Sequence, residues 1–78
     1  MSKWQELDGR LCREFNFQNY KDAWDFVNKV SEIAEAQNHH PDICFGWGYV
    51  KITTYSHDTN SITQRDRDLI KKIDSSLS

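Results

Sequence analysis

A chain of 78 residues is long enough for one small domain and too short for two, which excludes a split into separate cofactor and substrate domains. With 37% hydrophobic and 28% charged residues it is neither a membrane protein nor a highly charged disordered tail. Ten Lys and Arg against 12 Asp and Glu leave a net charge of -2, so the chain offers no basic footprint for phosphate backbones, and no direct nucleic-acid partner is expected.

Trp4 to Leu7 and Leu11 to Phe17 flank Asp8-Gly9, a dipeptide suited to a tight hairpin because glycine accepts positive φ at no steric cost. The chain is therefore expected to open with a β-hairpin. In its second arm Leu11, Arg13, Phe15 and Phe17 share a face, and Arg13 breaks that apolar pattern, which places it near an edge.

From Asn19 to about Gln37 the period changes. Tyr20, Ala23, Trp24, Val27, Val30 and Ala34 recur at three and four residues, with Phe26 and Ile33 widening the stripe, which predicts the main amphipathic helix. Asn19 suits its N-cap and Asp22 its first turn. Pro41 disfavours helical backbone in the residue before it, so Asn38-His39-His40 falls at or just beyond the helix end.

Ile43, Phe45 and Trp47 alternate with small residues, and Tyr49 to Ser56 is rich in β-branched and aromatic types, which predicts a second hairpin. Val50 and Ile52 face the helix, and Tyr49, Lys51, Thr53, Tyr55 and His57 take the opposite parity. After the polar loop Asp58-Thr59-Asn60-Ser61, Thr63 sits three residues ahead of Asp66 as an N-cap. It opens a final helix with apolar positions Leu69, Ile70, Ile73 and Leu77. The expected architecture is a single α+β domain over residues 1–78, a four-stranded antiparallel sheet with two helices packed on one face in the order β-β-α-β-β-α.

The only two cysteines, Cys12 and Cys44, lie far apart in sequence and make no disulfide framework, so both are read as reduced thiols. The first residues carry charge where a signal peptide needs an apolar run, and no stretch approaches a membrane span; a cytoplasmic location is expected.

His39, His40 and His57 all fall near element ends, where sites usually sit, and imidazoles titrate close to neutrality. Taken alone they read first as solvated polar residues capping a helix and a strand. A metal site built from the three histidines with Glu35 or Asp66 ranks low, because an adjacent His-His pair chelates poorly on regular structure and no Cys-x-x-Cys or His-Glu-x-x-His accompanies it.

The full pattern is more specific. Glu35 stands four residues before His39-His40-Pro41, Trp47 six after the proline, His57 ten after Trp47, and Asp66 downstream. This constellation resembles the pterin-4a-carbinolamine dehydratase family, and Trp4-Gln-Glu-Leu-Asp-Gly-Arg10 ahead of Phe15 and Phe17 resembles that family's first hairpin. The resemblance implies dehydration of 4a-hydroxytetrahydrobiopterin to the quinonoid dihydropterin, with His39, His40 and His57 as the acid–base set and Glu35, Trp47 and Asp66 at the substrate site. It implies no cofactor and no metal, since the reaction needs only proton transfers. Asp66 also fits a capping position, from which its carboxylate could orient His57, and Trp47 reads equally as core or interface.

Members of the family form dimers and tetramers, so a homodimer or homotetramer is expected. Longer members begin with a further helix that this sequence lacks; the site should survive its loss, while assembly could change. Mammalian relatives also act as dimerisation cofactors for a transcription factor, which makes a protein-binding module the alternative. A pterin-related role outside aromatic amino acid hydroxylation is a further one.

Overall fold

Residues 3–77 are described by a computed structural model with β1 (Gln5–Leu7), β2 (Arg10–Asn16), α1 (Tyr20–Gln37), β3 (Asp42–Gly46), β4 (Tyr49–Thr54) and α2 (Gln64–Ser75). Asp8 and Gly9 both take positive φ, 52° and 73°, the pairing that a two-residue hairpin turn of matching twist requires. Leu7 consequently faces Arg10 across the first hairpin, and Gly46 faces Tyr49 across the second. All neighbours in the sheet are antiparallel, in the order β1-β2-β4-β3.

Strand parity puts both helices on one face. Phe15 lies opposite Val50 and Arg13 opposite Ile52, and the core cluster joins Leu11, Phe15, Val50 and Ile52 to Ala23, Phe26 and Val30 of α1 and Leu69 and Ile73 of α2. The opposite parity carries Glu14, Lys51 and Cys44, all exposed, so the second face of the sheet is uncovered and largely polar. The architecture is the one expected from the sequence. Both cysteines are free. Among the described residues no helix is long and apolar enough to cross a membrane.

Three details differ from the sequence reading. The buried stripe of α1 runs through Ala23, Phe26, Val30 and Ala34, leaving Tyr20 and Trp24 about half exposed; the stripe is rotated because Phe26 fills the space above Phe15 and Phe17. Arg13 is on an inner strand, at the point where β1 stops pairing, and its charge is met by Asp74 at 2.8 Å while its guanidinium lies over the Phe15 ring. Trp47 is not a strand residue but forms the tip of the second hairpin, 71% exposed.

At the opposite end of the core, the buried Trp4 donates its indole N–H to both oxygens of Asp74 at 3.0 and 3.1 Å. This fastens the entry to β1 onto the last turn of α2.

Candidate functional site

The site is organised by the way α1 ends. Asn38 takes a left-handed conformation (φ 52°, ψ 41°), and the chain turns back so that the His39 N–H reaches the Ala34 carbonyl at 3.1 Å. Two adjacent residues on a regular helix would diverge by about 100°. Here the helix has ended, so His39 points inward, 8% exposed, and His40 outward, and both still border one hollow.

The inward ring meets Asp66. His39 Nε2 and Asp66 Oδ1 are 2.5 Å apart, and the same oxygen accepts the Thr54 hydroxyl at 2.6 Å. Asp66 Oδ2 accepts the Ser56 hydroxyl and the Thr63 backbone N–H, each at 2.9 Å. Asp66 belongs to the first turn of α2, Thr63 is the N-cap of that helix, and Thr54 closes β4. One carboxylate thus joins the end of α1, the end of β4 and the start of α2. Burial pushes the Asp66 carboxyl up, but the hydrogen bonds from Thr54, His39, Thr63 and Ser56 outweigh it and hold the group below the usual carboxylate range.

The outward ring of His40 is paired through Nε2 with Glu35, four residues before His39, and both side chains are exposed. His57 follows Ser56, whose backbone exchanges hydrogen bonds with Ser61 and so closes the loop 57–60. Its ring stacks against Tyr55 at 4.3 Å between centroids, and Arg10 lies over Tyr55 at 3.9 Å. Asp58 in that loop accepts from Arg65 at 2.6 Å, and this bond lowers the Asp58 carboxyl below its usual range.

Asn38, His39, His40, His57, Asp58 and Arg65 together line an open hollow of about 360 Å³. The three histidines, His39 and His40 at the end of α1 and His57 after β4, are brought to one place by the return of β3 and β4. Residues 1–76 match the family described as pterin 4 alpha carbinolamine dehydratase. The chain belongs to that family.

A pterin-4-alpha-carbinolamine dehydratase of Rubrobacter xylanophilus, so named provisionally, is 49% identical over 72 residues, which cover 91% of this chain and 67% of the relative. Among solved structures, a transcriptional coactivator/pterin dehydratase from Brucella melitensis superposes with a TM-score of 0.87 at 27% identity, covering 94% of this chain and 80% of the other. A pterin dehydratase-like protein described as a RuBisCO assembly factor in the alpha-carboxysome superposes at 0.74 with 25% identity, covering 92% and 83%.

Set beside the dehydratase pattern, the six candidate residues divide. His39, His40 and His57 share the hollow; Asp66 lies behind His39 and Glu35 beside His40 without lining it; Trp47 stands at the far end of β3. Six residue steps at about 3.3 Å each put Trp47 roughly 20 Å from Pro41, so within one chain it does not adjoin the histidines. Asp66 is bonded to His39 and not to His57, a correction to the expectation from its capping position. Arg65 and Asp58, which the sequence reading did not single out, do line the hollow. Among the described residues no three His, Cys, Asp or Glu side chains converge as a metal-ligand set.

Proposed function

We propose that this chain acts as one dehydratase domain that removes water from 4a-hydroxytetrahydrobiopterin, giving the quinonoid dihydropterin and supporting tetrahydrobiopterin recycling. The observation that carries this reading is the convergence of His39, His40 and His57 on a single hollow that also holds Arg65. The chemistry asks for one proton delivered to the departing hydroxyl and one removed from the pterin ring system, with no electron transferred. Three imidazoles in different surroundings suit that task. His39 is buried against a carboxylate, His40 is exposed beside a carboxylate, and His57 rests on an aromatic ring. Glu35 and Asp66 act through the histidines they pair with, and Arg65 supplies a cationic rim for a polar-edged substrate.

The test is steady-state dehydration by His39→Ala, His40→Ala and His57→Ala, each checked for fold by circular dichroism. Removing a general acid or base is expected to slow turnover by roughly 10²–10⁴-fold. Wild-type rates in all three would overturn the proposal.

A second reading, a protein-binding module, draws support from the names of the two structural relatives, a transcriptional coactivator and a RuBisCO assembly factor. It also draws on the exposed Trp47, Trp24 and Tyr20. A binder of that kind is indifferent to His40→Ala, so the same variant separates the two readings.

A further inference from the structure

Thr54 is out of place by composition. It continues the fully buried column of Val50 and Ile52 on β4, where valine or isoleucine would pack equally well, and a buried hydroxyl costs free energy unless it is paired. Its partner is Asp66, at 2.6 Å. Ser56, also fully buried, gives its hydroxyl to the other oxygen of the same carboxylate at 2.9 Å. With His39 sharing Oδ1 and the Thr63 N–H sharing Oδ2, each carboxylate oxygen has two partners, and the plane of the group is fixed.

His39 Nδ1 makes no hydrogen bond among the described residues. No buried side-chain nitrogen or oxygen there is left without a partner, so Nδ1 is on the accessible edge of the ring, on the hollow that His39 lines. We propose that Thr54 and Ser56 are positioning residues, which lock Asp66 so that neutral His39 carries its N–H on Nε2 and turns the Nδ1 lone pair to the hollow. The proposal rests on the reading of this hollow as a proton-transfer site. An ionised carboxylate can only accept, so a neutral imidazole facing it must donate from Nε2. The four hydrogen bonds that hold the Asp66 carboxyl below its usual range keep it in that accepting form. His39 then takes a proton at Nδ1 and becomes an imidazolium bonded to Asp66, and it returns the same proton from the same nitrogen. Without the two hydroxyls the carboxylate keeps only the Thr63 N–H besides His39, its plane is less firmly set, the ring loses its single anchored orientation, and a share of the molecules presents N–H in place of the lone pair.

The experiment compares wild type with Thr54→Val, which keeps shape and loses the hydroxyl, and with Thr54→Ser, which restores it. Nitrogen-15 NMR of the histidine rings at alkaline pH is expected to show His39 as the Nε2–H tautomer in wild type and in Thr54→Ser, and as a mixture in Thr54→Val. The Thr54→Val kcat is expected to fall roughly 10- to 100-fold with KM little changed, by analogy with the loss of partners that orient histidine ligands in metal sites, and to recover in Thr54→Ser. A folded Thr54→Val protein with the wild-type tautomer signature overturns the proposal whatever its rate. If Thr54→Val does not fold, Ser56→Ala carries the same readouts. A wild-type protein without dehydratase turnover would sink the functional reading alone, because the tautomer measurement tests the lock independently of activity.

Discussion

Asp66 is the residue on which stability and site geometry meet. Replacing it with alanine leaves the Thr54 and Ser56 hydroxyls, the Thr63 N–H and the His39 ring without this acceptor, the two hydroxyl residues being fully buried. A buried donor left without its acceptor costs about 1–3 kcal/mol, so Asp66→Ala, which orphans several at once, is expected to lose a large part of the marginal stability of a domain this size. Urea unfolding checks the loss.

The pH dependence follows in sign. The folded carboxyl titrates below its usual range, so it favours the native state at neutral pH. That contribution is complete above the unfolded value of about 3.9 and is lost as pH falls through the lower folded value. The unfolding midpoint of wild type should therefore drop more steeply below about pH 4 than that of Asp66→Asn, which lacks the titrating group. Parallel curves would show that Asp66 contributes nothing through its charge.

The histidines and Asp66 were legible in the sequence because their spacing is that of a known family. The pairing of Asp66 with His39 was not, since it depends on His39 turning inward at a left-handed Asn38. Arg65 and Asp58 escaped notice because lone charges in a polar loop and on a helix face look like ordinary solvated residues; only the closure of loop 57–60 brings them together.

At the scale of elements, the termini of α1 matter more to the site than its length. Asn38 adopts the left-handed conformation that costs an ordinary L-residue about 1–2 kcal/mol and that asparagine and glycine accept more readily. Asn38→Ala is therefore expected to lower the melting temperature by several degrees, at about 4–8 °C per kcal/mol for a domain of this size, whereas Asn38→Gly is expected to stay near wild type. Calorimetry on the two variants decides this, and equal melting temperatures would remove the turn from the argument. At the other end, the Asn19 side chain accepts from the Asp22 N–H at 2.8 Å, the cap the sequence pointed to.

Order, type and approximate limits of all six elements could be read from period and turn chemistry, because Asp8-Gly9, Asn19, Pro41 and Thr63 each mark a boundary. The rotation of α1 could not. Tyr20 and Trp24 satisfy the helical period as well as Phe26 does, and only the position of the Phe15 and Phe17 rings determines which side turns inward.

The whole molecule leaves unfinished surfaces. A sheet in the order β1-β2-β4-β3 ends on a strand of three residues at one side and of five at the other, and each end strand has one flank without a neighbour among the described residues. Proteins commonly close such edges by pairing them across a two-fold axis. Large apolar side chains accumulate toward the β3 side of the same molecule. Tyr20 packs on Phe45 of β3 and is still half exposed, and Trp47 at the tip of the β3–β4 hairpin is the most exposed of the large hydrophobic residues.

We therefore expect at least a dimer at micromolar concentration, with Trp47 covered in the assembly. Trp47→Asp is the informative variant, because a side chain 71% exposed in the single chain adds little to its core, and the variant should fold. Light scattering should give a multiple of the chain mass for wild type and a lower mass for Trp47→Asp. A monomer mass for wild type would refute the expectation. Since Trp47 does not line the hollow of its own chain, a dissociated Trp47→Asp that keeps its turnover would assign the tryptophan to assembly. Loss of turnover together with mass would mean that the hollow is completed by a neighbouring copy.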